Sequence, residues 1–131
     1  FHFTYTINMN LPLYNSLKTP MSTVFVPYGG IKGFFVTYNG SSYYAWEAAC
    51  PNHIANTCDR LHCASKSGGG NTFERCDDTN THSFIFVQCP CDGTVYNLVN
   101  GSPIAIDKVT SPYHLLYYNV SVAGNILTIS N

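Results

Sequence analysis

Charge is scarce in this sequence. Asp, Glu, Lys and Arg make up 10% of its 131 residues and leave a formal net charge of −1. A chain so nearly neutral offers no electrostatic footprint for a polyanion, so nucleic acid is excluded as an expected partner. Long apolar runs are also missing. None approaches the roughly 20 residues that a membrane-spanning helix needs, so no transmembrane segment is expected. No secretory leader precedes Phe1, and the mature form is expected. Gly-x-Ser-x-Gly, P-loop and Glu-bearing zinc-helix patterns are all absent, which leaves no support for an enzyme. There is no internal repeat and no composition break, so residues 1–131 read as one domain, long enough to build its own core.

What is present is aromatic and strand-like. Hydrophobic residues make up 45% and aromatics 15%, with ten Tyr and eight Phe. Such side chains pack well across a pleated sheet. Phe3, Tyr5, Ile7 and Met9 alternate with polar residues in the period of two that marks a half-buried strand. Leu11 to Pro20, interrupted by proline, reads as a surface connection, so residues 1–21 form an N-terminal strand and its connection. Thr23 to Val26 is a short strand stopped by Pro27 and Gly29-Gly30. Gly33 to Tyr38 and Tyr43 to Ala48 flank Asn39-Gly40-Ser41-Ser42, the strongest hairpin signal in the chain. Strands resume at Phe84 to Gln88 and Thr94 to Leu98. Leu116 to Val122 and Ile126 to Ile129 make a closing hairpin around Gly124. About nine short strands with almost no helix predict an all-β, antiparallel sandwich or partly open barrel.

Cysteine carries the chemical information. Cys50, Cys58, Cys63, Cys76, Cys89 and Cys91 crowd the middle of the chain, and the flanks have none. An even count in a weakly charged chain fits a compartment where disulfides persist, and a tight cluster also fits a metal or iron–sulfur site. Residues 51–83 read as a long Cys-rich loop that needs function or cross-links to hold it.

Two loops share a theme: Cys50-Pro51-Asn52-His53 after one strand, and Cys89-Pro90-Cys91-Asp92-Gly93-Thr94 after another. With Tyr44 to Ala49 leading into the first loop and Val95-Tyr96-Asn97 leaving the second, the chain resembles a Rieske domain over roughly residues 22–131. It looks closest to the degenerate Rieske-like domains of bacterial envelope proteins. In that family a Cys-x-His loop and a Cys-x-x-His loop clasp a [2Fe–2S] cluster, the Cys pair on one iron and the His pair on the other. Here Cys50 and Cys89 stand at the cysteine positions. Asn52 and Asp92 stand where the histidines belong, and His53 falls one place late. The resemblance also implies a bracing disulfide between the loops, for which Cys58 and Cys91 are the candidates. It leaves Cys63 and Cys76 as a further pair across the Gly-rich stretch.

Three readings follow. The first is electron transfer through a [2Fe–2S] cluster on altered ligands, with His53 and Asp92 on the second iron. The second is a mononuclear zinc or iron site, because Cys50-x2-His53 and Cys89-x2-Asp92 supply four acceptable ligands. The third, which the sequence favours, is a cofactor-free module in which all six cysteines are cross-linked, Cys50 with Cys89 among them. That module would serve a periplasmic or cell-surface protein and bind a protein or small molecule. Tyr43, Tyr44, Tyr113, Tyr117 and Tyr118 are its candidate face, although cross-strand packing accounts for the same residues without a binding role and is the reading the sequence favours.

Overall fold

The period-two patterns become strands. The computed structural model describes residues 2–54, 57–66, 72–105 and 111–131. The strands are β1 (Thr4–Asn8), β2 (Ser22–Val26), β3 (Phe34–Tyr38), β4 (Tyr43–Glu47), β5 (His62–Lys66), β6 (Phe73–Arg75), β7 (Phe86–Gln88), β8 (Val95–Asn97), β9 (Pro103–Ala105), β10 (Tyr117–Ala123) and β11 (Ile126–Ser130). The helical content among the described residues is one 3-10 turn at Asn15–Lys18, which drops Leu17 into the core. No helix among them is long and apolar enough to cross a membrane.

The strands form two antiparallel sheets, ordered β1-β11-β10-β4-β3-β2 and β6-β5-β7-β8-β9. The β3–β4 hairpin closes with Tyr38 opposite Tyr43, as the turn sequence predicts. Asn39 organises that turn, its Oδ1 accepting the N–H groups of Ser41 and Ser42 at 2.8 Å each. The closing hairpin pairs Ala123 with Ile126.

Alternation on the central strands splits the core into two layers. Phe34, Val36, Ala45, Val24 and Val26 point to one side, packing with Ile7, Leu17, Leu127 and Ile129. Phe35 and Trp46 point to the other, packing with Leu61, Phe84, Val87, Tyr96 and Leu98 from the second sheet. Strands buried on both faces explain why Phe34 to Val36 read as a continuous apolar run. Polar pins cross the gap between sheets. Trp46 Nε1 donates to the Leu98 carbonyl at 2.6 Å, and Thr23 Oγ1 donates to the Phe84 carbonyl at 2.6 Å. Gly101 is required here: its φ is +74°, and a Cβ would sit 2.5 Å from the Trp46 ring.

The stretch read as one long loop holds two strands, β5 and β6, at the edge of the second sheet. His62-Cys63-Ala64-Ser65-Lys66 contains no β-branched or large aromatic residue, so its propensity for strand is weak. Pairing supplies what propensity does not: Cys63 lies opposite Val87 on β7, and Ala64 opposite Arg75 on β6. The Cys63–Cys76 disulfide ties the two edge strands, and Arg60 grips the buried Asp78 through two hydrogen bonds of 2.7 and 3.0 Å.

Candidate metal centre

Two loops meet at one end of the second sheet. The first leaves β4, and its root is fixed by Glu47, a carboxylate only 2% exposed. Glu47 Oε2 accepts the N–H groups of Ala49 and Lys32 at 2.7 and 3.0 Å, while Oε1 accepts Ile31 N–H at 2.6 Å and the Tyr118 hydroxyl. The second loop is the β7–β8 turn, closed by Cys89 N–H to Thr94 O at 2.9 Å and Gly93 N–H to Cys89 O at 3.0 Å. The Cys58–Cys91 disulfide, spanning 33 residues, staples the loops together.

Within this frame Cys50, His53, Cys89 and Asp92 converge, each offering one ligand atom, and all four atoms lie within 4.8 Å of one another. Cys50, Cys89 and Asp92 are buried; His53 is partly open to solvent. His53 Nε2 donates to Asp92 Oδ2 at 2.9 Å, and Cys50 Sγ is 3.8 Å from the same oxygen. The displacement of the histidine by one place therefore does not take it away from the site.

Electrostatics follow from these contacts. Burial alone would raise the pKa of Asp92, but it is outweighed by donors from Thr94, Asn52 and His53, which hold the carboxyl below its ordinary range. The two thiols act on one another's titration in opposite directions. The S–H of Cys50 donates to Cys89, and with the N–H groups of Asp92 and Cys91 this brings Cys89 down to about 7 against the effect of burial. The same bond, with burial, pushes Cys50 up. Burial also pushes the Tyr96 phenol up, although the Asn52 amide opposes the shift.

Asn52 has a role that sequence reasoning missed. Its Nδ2 donates to Tyr96 Oη at 2.8 Å and Asp92 Oδ2 at 3.1 Å, and its Oδ1 accepts Tyr113 N–H at 2.8 Å. An amide thus occupies the place the Rieske pattern gives to an imidazole, and spends its groups on positioning. The signal was present as the departure at Asn52, but nothing in the sequence pointed to Tyr96 as its partner. The two cysteine pairs implied by the resemblance form, Cys58–Cys91 and Cys63–Cys76, whereas Cys50 and Cys89 are free thiols rather than the cross-link expected for a fully bridged chain. Buried thiols beside a carboxylate and an imidazole make a ligand set. Of the five tyrosines, Tyr43, Tyr44 and Tyr117 line one surface cavity together, whereas Tyr118 is buried against Glu47 and Tyr113 lies exposed beside Asn52.

No family model matches the chain, and no curated protein does. Among solved structures, it is similar to a chain of the complex of reduced oxygenase and oxidized ferredoxin in carbazole 1,9a-dioxygenase. That match has a TM-score of 0.52 at 17% identity and covers 98% of this chain and 92% of that one. The fold is Rieske-like. At this identity the likeness is one of architecture, with two antiparallel sheets and two Cys-bearing loops meeting at one end. The Rieske fold implies a [2Fe–2S] cluster, and the residues present depart from its donor set. Two cysteines remain, but an asparagine and an aspartate stand at the histidine positions. Cys50 Sγ and Asp92 Oδ2, which a cluster would separate onto different irons, lie 3.8 Å apart here.

Proposed function

We propose that this chain is a single, non-enzymatic Rieske-like module of an extracytoplasmic protein, in which one metal ion of the zinc class stands in place of the [2Fe–2S] cluster. The observation that carries the reading is the convergence of the Cys50, His53, Cys89 and Asp92 ligand atoms within 4.8 Å. A tetrahedral zinc with bonds of about 2.0–2.3 Å has ligand–ligand edges of roughly 3.3–3.8 Å, so the quartet needs a contraction of about an ångström. Two thiolates, an imidazole and a carboxylate are zinc donors, and four of them close the coordination sphere, which is the hallmark of a structural rather than a catalytic ion. Thr94 and Asn52 already hold the Asp92 carboxylate from outside, as the partners of a ligand do. With one imidazole where the Rieske donor set has a pair, the quartet departs from that set, and this favours a single ion over electron transfer through a cluster.

In this reading the ion and the Cys58–Cys91 bridge lock the loop tips, and the module binds a protein or small molecule through the surface they stiffen. Two disulfides favour an oxidising compartment outside the cytoplasm, which agrees with the envelope proteins whose motifs the sequence resembles.

Cobalt(II) titration of the metal-free protein tests the site. One equivalent should bind with intense thiolate-to-cobalt absorption and tetrahedral visible bands. The bands should be lost in a Cys50→Ser, Cys89→Ser double variant and altered in His53→Ala. A protein that takes up no cobalt under reducing conditions overturns the reading.

A further inference from the structure

The metal reading uses Cys50 and Cys89 as ligands but leaves another contact unexplained. Cys89 Sγ lies 3.9 Å from Cys58 Sγ, the buried half of the Cys58–Cys91 disulfide. Cys89 is 1% exposed and Cys58 9%, so no water shell separates the two sulfurs. Cys89 also neighbours Cys50, whose ligand sulfur lies within 4.8 Å of its own. Cys91, by contrast, is exposed. Four sulfurs thus form a continuous file, with a thiol pair at the buried end and a disulfide reaching the surface at the other.

We propose that this file is an internal thiol–disulfide relay, which passes two electrons from the buried Cys50/Cys89 pair to the Cys58–Cys91 bridge. In the first step the Cys89 thiolate attacks Cys58 Sγ. The Cys58–Cys89 bond forms, the Cys58–Cys91 bond breaks, and Cys91 leaves as a thiolate that takes a proton at the surface. In the second, Cys50 gives up its proton and attacks Cys89 Sγ. The Cys50–Cys89 bond forms, and Cys58 leaves as a thiolate and is protonated. The buried pair loses two electrons and two protons, the outer pair gains both, and no outside oxidant or reductant is consumed. The product presents a reduced, accessible thiol at Cys91 in place of a closed bridge. The relay extends the metal reading, because an ion on Cys50 and Cys89 holds both sulfurs and favours the isomer with Cys58–Cys91 intact by mass action.

The variant Cys50→Ser isolates the first step, since it keeps one free thiol that resides on Cys89 before exchange and on Cys91 after it. The metal-free variant is incubated at pH 8, quenched in acid, and alkylated with N-ethylmaleimide at low pH. Fragmentation of non-reduced peptides then locates the label. The relay predicts that label appears on Cys91 and grows with time, together with a Cys58–Cys89 bridge, in a protein that retains its circular dichroism. In Cys89→Ser the label should stay on Cys50, because the sulfur next to Cys58 is gone. Label confined to Cys89 throughout in folded Cys50→Ser, or label reaching Cys91 equally in Cys89→Ser, overturns the proposal. In the wild-type protein, an equivalent of zinc should suppress labelling of Cys58 and Cys91. Exchange that proceeds unchanged with zinc sustains the relay while counting against the metal site, and loss of exchange in the metal-free variant does the reverse.

Discussion

His53 Nε2 meets Asp92 Oδ2 at 2.9 Å across the gap between two loops that lie 39 residues apart in sequence. That contact joins the two halves of the candidate centre. It also explains how a histidine one place beyond the Rieske position still faces the second loop: the backbone turns at Pro51–Asn52, with His53 N–H returning to the Cys50 carbonyl at 3.4 Å.

Asp92 should govern acid stability. Its donors hold its folded-state pKa below the unfolded value of about 3.9. The ionised form therefore stabilises the fold above that pH, and the contribution is lost as pH falls through the depressed value. Asp92→Asn keeps the shape but removes the charge that three donors address. Urea denaturation at neutral pH should show a loss of about 1–3 kcal/mol, and the difference from wild type should shrink as pH falls below the unfolded value of about 3.9.

The two disulfides should not be equivalent. Cys58–Cys91 closes a loop of 33 residues and Cys63–Cys76 one of 13. Replacing Cys58 and Cys91 by serine should cost about 3–4 kcal/mol, and the same change at Cys63 and Cys76 about 3 kcal/mol. The first change should also weaken metal binding, since it releases the staple between the loops, whereas the second should leave it nearly intact. Denaturation and zinc titration on the same pair of variants check both statements.

Glu47 should be the costliest polar residue to replace outside the centre. Four donors converge on its buried carboxylate, three of them backbone N–H groups that would be left unpaired. Glu47→Leu should destabilise by about 3 kcal/mol or more, and Glu47→Gln by less, because its amide oxygen still accepts. Thermal unfolding followed by circular dichroism gives the ordering.

Gly101→Ala places a methyl group against the Trp46 ring at a backbone angle unfavourable for any other residue. A loss of about 1–3 kcal/mol is expected, with a shifted emission maximum as Trp46 is pushed from its bond to Leu98 O. The chain has one tryptophan, so the emission reports this site alone.

Where the sequence was legible, a local pattern agreed with tertiary packing. The β3–β4 and β10–β11 hairpins announced themselves through turn residues between apolar runs, and the structure keeps both within a residue or so. The Rieske-like architecture was legible from the two Cys-bearing loops and the strands around them. Strands β5 and β6 were not, because Cys63 and Ala64 owe their extended form to neighbours on β7 and β6 and not to propensity. The site was partly legible for a similar reason. Cys50, His53, Cys89 and Asp92 advertise their chemistry by residue type, but the Asn52–Tyr96 bond joins loop to strand across 44 residues and leaves no local trace. The free state of Cys50 and Cys89 was equally hidden, since a cysteine in sequence looks the same as thiol, ligand or bridge.

The most direct measurement of the central claim is the metal content of protein purified under mild, oxygen-free conditions, with iron and zinc determined together. The account predicts about one zinc per chain and no stoichiometric iron, with the ion lost when Cys50 and Cys89 are both replaced by serine. About two irons per chain, removed by the same substitutions, would contradict it and return this module to electron transfer.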